Sequence, residues 1–281
     1  MATAFLLIVL FPLWFAAVLV VLTYSIAFWV FPGGGSRGPQ DTLARRISGG
    51  LLTLGMEWLA TSWVIMAFPY RFFRNRGGRW RLEPDRAPVV LLPGHSENAL
   101  TLFFLERRLQ RALRRPVRAL SPLRYYDGIE RIAEEFRLQI EAWLEELGAE
   151  RVHLVGHSQG GLIARTLVER GPLRERVGCV VTLGTPHLGS ALAPLLPGRN
   201  ARQMRRGSFF LEKLNGSSPP DGVRVCGICS THDNLVLPWH CGLSPRGDNF
   251  ILRYRGHLTL LFSGEVIRTA AREIRETEGP D

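Results

Sequence analysis

Lysine is nearly missing from this chain: Lys213 is the only one, although the formal net charge is +10. The basic balance is therefore carried by arginine. Zinc-finger, RNA-recognition and basic-zipper patterns are absent too, which removes the usual routes from a basic composition to nucleic-acid binding. Coding bias in a GC-rich genome accounts for the scarcity of lysine, and arginine near a membrane favours anionic headgroups. Charge of either sign is absent before Arg37. A cleaved signal peptide has a basic start, a short apolar core and a small-residue cleavage site, and this beginning has neither the basic start nor the short core. Cysteine is sparse, with four in all. Cys179 lies in the apolar run "VGCVVTLG" and reads as a small buried hydrophobe. Cys226, Cys229 and Cys241 lie close in sequence to His232 and His240, but a single CxxC pair without a second is a weak zinc signature. Cys226 and Cys229 fall in the strand-like run "GVRVCGICS". Their odd spacing sends them to opposite faces, which disfavours a shared metal or a mutual disulfide and leaves core packing as the preferred reading. A bridge from one of them to Cys241 needs an oxidising compartment. No internal repeat is visible.

What the first third has instead is apolar length. "FLLIVLFPLWFAAVLVVLTYSIAFWVF" exceeds the ~20 residues of a spanning helix and reads as an uncleaved transmembrane helix. "GGGSRGPQD" breaks the pattern with Gly and Pro. A second stretch, "ISGGLLTLGMEWLATSWVIMAFPY", carries one charge, Glu57, and a carboxylate at a bilayer centre costs about 2.5–3.5 kcal/mol on insertion scales. Thr53, Glu57 and Thr61 recur every four residues and form one narrow polar stripe. In a membrane hairpin, Tyr24 and Ser25 sit level with Glu57, so their hydroxyls are its expected donors. The alternative is a helix lying in the interface or against the soluble domain. Trp58 and Trp63 suit both. These readings divide the chain into a membrane anchor and basic linker, residues 1–82, with helices at about 3–32 and 48–70, and a soluble domain, residues 83–281. Arg71, Arg74, Arg76, Arg79 and Arg81 outnumber Arg37, Arg45 and Arg46. The positive-inside rule then favours a cytoplasmic domain, with a periplasmic one as the alternative.

At "RAPVVLLPGHSENAL" the pattern changes. "PVVLL" is a continuous apolar run ending in Pro93-Gly94, as a buried parallel strand does. Helical patterns follow in "TLFFLERRLQRALRR", "GIERIAEEFRLQIEAWLEELG" (stopped by Gly148), "GLIARTLVERG" and "EVIRTAAREIRE". Strand patterns lie between them in "VRAL", "RVHLV", "CVVTLG" and "VRVCGICS". Strands alternating with helices predict an α/β fold, a mostly parallel sheet with helices on both faces. A chain of 281 residues has room for one such domain of good size.

Ser158 sits in "VHLVGHSQGGLIA", between a strand and a helix. In that setting Gly-x-Ser-x-Gly is a nucleophile elbow, whose tight turn calls for Gly156, Gly160 and Gly161 around the serine. A serine hydroxyl needs a base to take its proton, and in this arrangement the acid and then the histidine come later in the chain. Here the sequence resembles an α/β-hydrolase, more closely the bacterial lipases and their membrane-anchored relatives, from about Ala87 to Arg275. "LVGHSQGG", "TLGTPHLGS", "QMRRGSFFLEKLN", "HDNLVLP" and "GHLTLLFS" carry the resemblance, in that order.

The resemblance implies catalytic roles for Ser158, Asp233 and His257. Asp233 ends the strand "VRVCGICS", at the ligand edge of an open α/β sheet; Asp248 in "RGDNF" is the fallback and Asp221 a third choice. His257 follows Gly256, read as giving the loop conformational freedom. His157 and His187 belong to structural parts of motifs, and His153 lies in a strand. The oxyanion hole is expected from the backbone N–H groups of Gln159 and His95. The family usually has His-Gly in the "PGHSEN" loop, and here Pro93 replaces that histidine. The implied protein is a membrane-anchored serine carboxylic-ester hydrolase of a bacterial inner membrane, acting on acyl lipids through an acyl-enzyme. No metal or organic cofactor and no nucleic-acid partner are expected. Some bacterial lipases hold a structural calcium, but no ligand set for one is recognisable here. Residues 191–222 are read as a small cap. The alternatives are an acyltransferase or amidase with the same triad, or an inactive membrane-tethered binding protein.

Overall fold

The computed structural model describes residues 2–30, 43–70, 86–171 and 173–278. Arg37, Arg71, Arg74, Arg76, Arg79 and Arg81, on which the orientation reading rests, lie outside them.

Six strands form one sheet: β1 (Val89–Leu92), β2 (Val117–Ala119), β3 (Val152–His157), β4 (Val177–Leu183), β5 (Arg224–Ser230) and β6 (Asp248–Leu252). Their order is β2-β1-β3-β4-β5-β6 and every pairing is parallel. All residues of β1, β3 and β4 are buried, as the unbroken aliphatic runs require of strands covered on both faces. β6 is the strand that the sequence reading lacks. It starts with Asp248 and Asn249, its residues are mostly exposed, and it lies at the sheet edge. Asp and Asn are depleted in strands, and only its pairing with β5 makes it one.

Helices α4 (Ile129–Leu147) and α5 (Gln159–Glu169) cover one face of the sheet, and α3 (Phe103–Leu113) and α8 (Gly264–Glu278) cover the other. α4 shows how local pattern becomes packing. Ile129, Ile132, Ala133, Phe136, Ile140, Trp143 and Leu144 recur at helical spacing and are all buried. Full burial of a side chain such as Phe136 stabilises the fold by about 1.5–3 kcal/mol. The helix stops at Gly148 in the left-handed region (φ 65°), whose N–H closes onto the last turn. Between β4 and β5 lie two short helices, α6 (Arg199–Gln203) and α7 (Phe209–Asn215). Arg165 on α5 ties this segment down: fully buried, it pairs with Glu169 at 2.6 Å and donates to Asn215 Oδ1 and Leu214 O.

The N-terminal helices α1 (Ala2–Val30) and α2 (Leu43–Ala67) pack on each other. Ala16, Val20 and Ala60 are buried, small enough for close helix contact, and Trp58 Nε1 donates to Leu13 O at 2.8 Å. The pair does not stand apart from the sheet domain. At one end of α2, Gly49 abuts the ring of Tyr254. At the other, Trp63 Nε1 donates to Thr101 O and Ala67 O accepts from Asn98 Nδ2. From 49 to 67 this is about 27 Å of helix at 1.5 Å per residue laid against the soluble domain, the alternative that the sequence left open for the second stretch. The opposite faces of both helices expose Phe11, Trp14, Val21, Leu51, Leu52 and Leu59.

Candidate active site

In the order β2-β1-β3 the chain reverses its direction of travel across the sheet between β1 and β3, and the crevice beyond the strand ends at such a point is where open α/β sheets hold ligands. β1 and β3 are neighbours, with Leu92 opposite Gly156. The "PGHSEN" loop leaves the first strand there and Ser158 leaves the second.

Ser158 stands at φ 52°, ψ −120°, as the residue before α5. A non-glycine residue in this region is strained, and the three surrounding glycines allow it. A Cβ on Gly156 would strike the Gly160 backbone, one on Gly160 would strike Leu92 O, and one on Gly161 would strike Thr185 Oγ1. The need for small residues read from the motif is thus backbone passing against backbone at Gly156 and Gly160, and backbone against the Thr185 side chain at Gly161.

Asp233 and His257 meet as the sequence places them. His257 Nδ1 lies 2.8 Å from Asp233 Oδ2, and the other carboxylate oxygen accepts the N–H groups of Leu235 and Val236, each at 2.8 Å. Both side chains are almost fully buried. Burial opposes charge on His257, but the adjacent Asp233 carboxylate, together with Glu57 and Glu97, raises the histidine above its ordinary value. Asp248 and Asp221 lie away from this pair: both are exposed, Asp248 at the start of edge strand β6 near Arg224, and Asp221 in the turn before β5. Ser158 and His257 line one cavity of about 390 Å³. No hydrogen bond joins the Ser158 hydroxyl to the ring among the described residues; such contacts are often loose without substrate.

Gln159 opens α5, so its N–H has no acceptor within the helix. Its side chain is fixed by Asn200 at 3.0 Å. In the facing loop the Gly94 N–H is already taken by Glu97 Oε2 at 2.8 Å, which leaves His95 as the donor position expected. Ser96 adopts φ 60°, so this loop too holds a strained turn. The His95 imidazole lies against Tyr126, with ring centroids 5.5 Å apart, and burial lowers its pKa.

Three supporting groups were not assigned from the sequence. Glu97 is buried and holds His157 Nδ1 at 2.9 Å, while His157 Nε2 lies 3.2 Å from the His257 carbonyl. Burial alone would raise the Glu97 carboxyl; His157 beside it brings it below the usual range. One buried pair thereby joins the loop after β1, the end of β3 and the loop that holds His257. Asn234 is the second group. Its Oδ1 accepts the His257 N–H, and its Nδ2 donates to Thr23 Oγ1 on α1.

Glu57 is the third, and it corrects the sequence reading. The polar stripe of α2 does turn inward: Thr53 and Glu57 are buried and Thr61 lines the cavity. Its donors differ from those expected. Tyr24 Oη donates to His232 O at 3.2 Å, and Ser25 is exposed. Glu57 instead accepts the backbone N–H groups of Leu258 and Thr259, both at 2.9 Å, which open a 3-10 turn and have no acceptor of their own within it. Gly256 is likewise a glycine for another reason than conformational freedom. Its φ is not positive, and a Cβ there would collide with the Glu57 carboxylate and Tyr24 Oη.

The four cysteines are buried and unbridged. Cys226 packs among the residues under α3 and α8, whereas Cys229 lies against Gly242, the opposite facing that their spacing predicts.

Comparison with known proteins places the chain beside lipases and esterases. The family model described as "Palmitoyl protein thioesterase" matches residues 88–218. A triacylglycerol lipase of Pseudarthrobacter phenanthrenivorans is 39% identical over 74 residues, 26% of this chain and 23% of the relative. The chain thus spans about a quarter of that relative's length. Among solved structures, the mature lipase BlEst2 of Bacillus licheniformis superposes with a TM-score of 0.61 at 14% identity, covering 72% of this chain and 97% of that one. The monoacylglycerol lipase of Paleococcus ferrophilus superposes with a TM-score of 0.50 at 19% identity, over 69% and 96%.

Proposed function

We propose that this chain, a lipase-like member of the α/β-hydrolase superfamily, is a membrane-anchored serine hydrolase that cleaves carboxylic esters of acyl lipids through an acyl-enzyme. The observation that carries the reading is a strained Ser158 and a buried His257 lining one cavity, with Asp233 bonded to the far side of the His257 ring.

In this mechanism the Ser158 hydroxyl attacks the ester carbonyl as His257 Nε2 takes its proton. The oxyanion forms against the N–H groups of His95 and Gln159, where removal of one donor typically costs about 10²–10³ in rate. Asp233, bonded to Nδ1, fixes the tautomer and stabilises the imidazolium. His257 then protonates the departing alkoxide, and water activated by the same ring releases the acid. The α1–α2 pair seats the molecule on the bilayer through its exposed apolar face, with the catalytic domain on the cytoplasmic side and residues 191–222 as a small cap.

The family model's name adds acyl thioesters to the carbonyls worth testing, since the same machinery attacks both. The deciding experiment is hydrolysis of a panel of p-nitrophenyl esters and acyl thioesters by the full-length chain and by Ser158→Ala. The proposal expects turnover that Ser158→Ala abolishes while the fold persists; a wild-type chain that turns over no ester or thioester counts against it.

A further inference from the structure

The cavity at Ser158 has an unusual set of walls. Its floor is the catalytic pair of Ser158 and His257. One wall is helix α1, through Leu19, Thr23 and Ile26, and the next is helix α2, through Thr61, Val64 and Ile65. Opposite stand Leu192, Met204 and Val236 of the soluble domain. The N-terminal helices thus supply nine of the 24 residues around the space in which a substrate would lie.

The rim is apolar as well as the walls. Leu22 of α1 and Leu195 and Leu196 of the segment after β4 all line the cavity, yet are 51%, 73% and 42% exposed. They stand where a water-facing pocket would carry polar groups. Leu22 continues into the exposed face of α1 with Val18 and Val21. The cavity therefore opens onto the same surface that the helices turn away from the domain. Its volume, about 390 Å³, lies in the range of about 300–1,000 Å³ for small-molecule sites.

We infer that the α1–α2 pair is the acyl-binding wall of the active site, and that the acyl chain of a membrane-resident lipid ester passes between Leu22 and Leu195–Leu196 to lie along Thr61, Val64 and Ile65 with its carbonyl at Ser158. This rests on the hydrolase reading above and goes beyond it, because it makes the N-terminal helices specificity elements. The occupant is an acyl chain because the cavity that holds Ser158 is lined by Leu19, Ile26, Val64, Ile65, Leu192 and Val236. It comes from a bilayer because the mouth is rimmed by exposed leucines.

The test uses the full-length chain in phosphatidylcholine vesicles and a long-chain alkyl fluorophosphonate with a photoreactive diazirine at the far end of the alkyl chain. After reaction at Ser158, illumination crosslinks whatever the chain end touches. The inference expects crosslinks in peptides from α1 or α2, around residues 19–26 or 61–65. Adduct at Ser158 with crosslinks confined to the soluble domain overturns it and leaves the hydrolase reading standing. Absence of any adduct at Ser158 overturns both. A second measurement compares Ile65→Trp with Leu59→Trp, which changes an exposed position on the same helix. Ile65→Trp should lower the ratio of kcat/KM for laurate over butyrate esters by ten-fold or more, and Leu59→Trp should leave the ratio as it is. An unchanged ratio in Ile65→Trp contradicts the inference.

Discussion

Glu57 holds the backbone N–H of Leu258 at 2.9 Å across 201 positions of chain. Leu258 directly follows His257, so a carboxylate on an N-terminal apolar helix sets the position of the residue next to the proposed base. From the other side, Thr23 and Tyr24 of α1 hold Asn234 and the His232 carbonyl, the residues that flank Asp233. The proposed acid and base are therefore each braced by one of the two helices.

Glu57 acts as a positioning residue, and its loss should appear in turnover. Leaving a buried N–H without its acceptor costs about 1–3 kcal/mol. Glu57→Leu is expected to lower kcat by about 10–100-fold with a smaller change in KM. Glu57→Gln, which keeps one acceptor oxygen, should recover part of it. Steady-state kinetics on both variants at matched thermal stability checks this; equal activity of Leu and Gln would show that the hydrogen bonds do not position His257.

Asp233 raises His257 above its ordinary value of about 6.5. Only neutral imidazole can act as base, so kcat/KM should rise with pH through a midpoint above that value. Asp233→Asn should lower the midpoint and cut kcat by about 10³–10⁴, while Asp248→Asn, on the exposed edge strand, changes neither. For stability the sign is opposite. A histidine raised by folding contributes fully below its unfolded pKa, and the contribution is lost as pH rises through the folded value. Rate and melting profiles against pH separate the two effects.

Gly256→Ala places a methyl group against the Glu57 carboxylate and Tyr24 Oη. Overpacking of this kind costs about 1–3 kcal/mol. The backbone itself tolerates alanine, since φ is not positive there. The cost should therefore fall on the docking of the helices, seen as faster proteolysis within α1 and α2 than in the wild type. Unchanged proteolysis would mean that the helices do not pack on this loop.

Much of the sheet was legible because strands buried on both faces leave unbroken aliphatic runs, as in "PVVLL" and "CVVTLG". β6 was not, since its first residues are Asp248 and Asn249 and only the neighbouring strand supplies its pairing. The Asp233–His257 contact could be anticipated from motif order. The stripe of Thr53, Glu57 and Thr61 announced that one face of α2 is special. Periodicity names a face and cannot name a partner about 200 residues away, so Tyr24 and Ser25, level with Glu57 in a hairpin, were the expected donors. Glu97 left no signal at all, because a lone glutamate in a loop looks the same whether it is solvated or buried against His157.

The most direct test of the account is to treat the full-length chain with a fluorophosphonate and map the adduct by peptide mass spectrometry. The account predicts a single modified peptide, "VHLVGHSQGGLIA", carrying the phosphonyl group on Ser158, with labelling strongly slowed in His257→Ala. Folded protein that takes up no label, or takes it up at another residue with His257→Ala labelled at the wild-type rate, would contradict it.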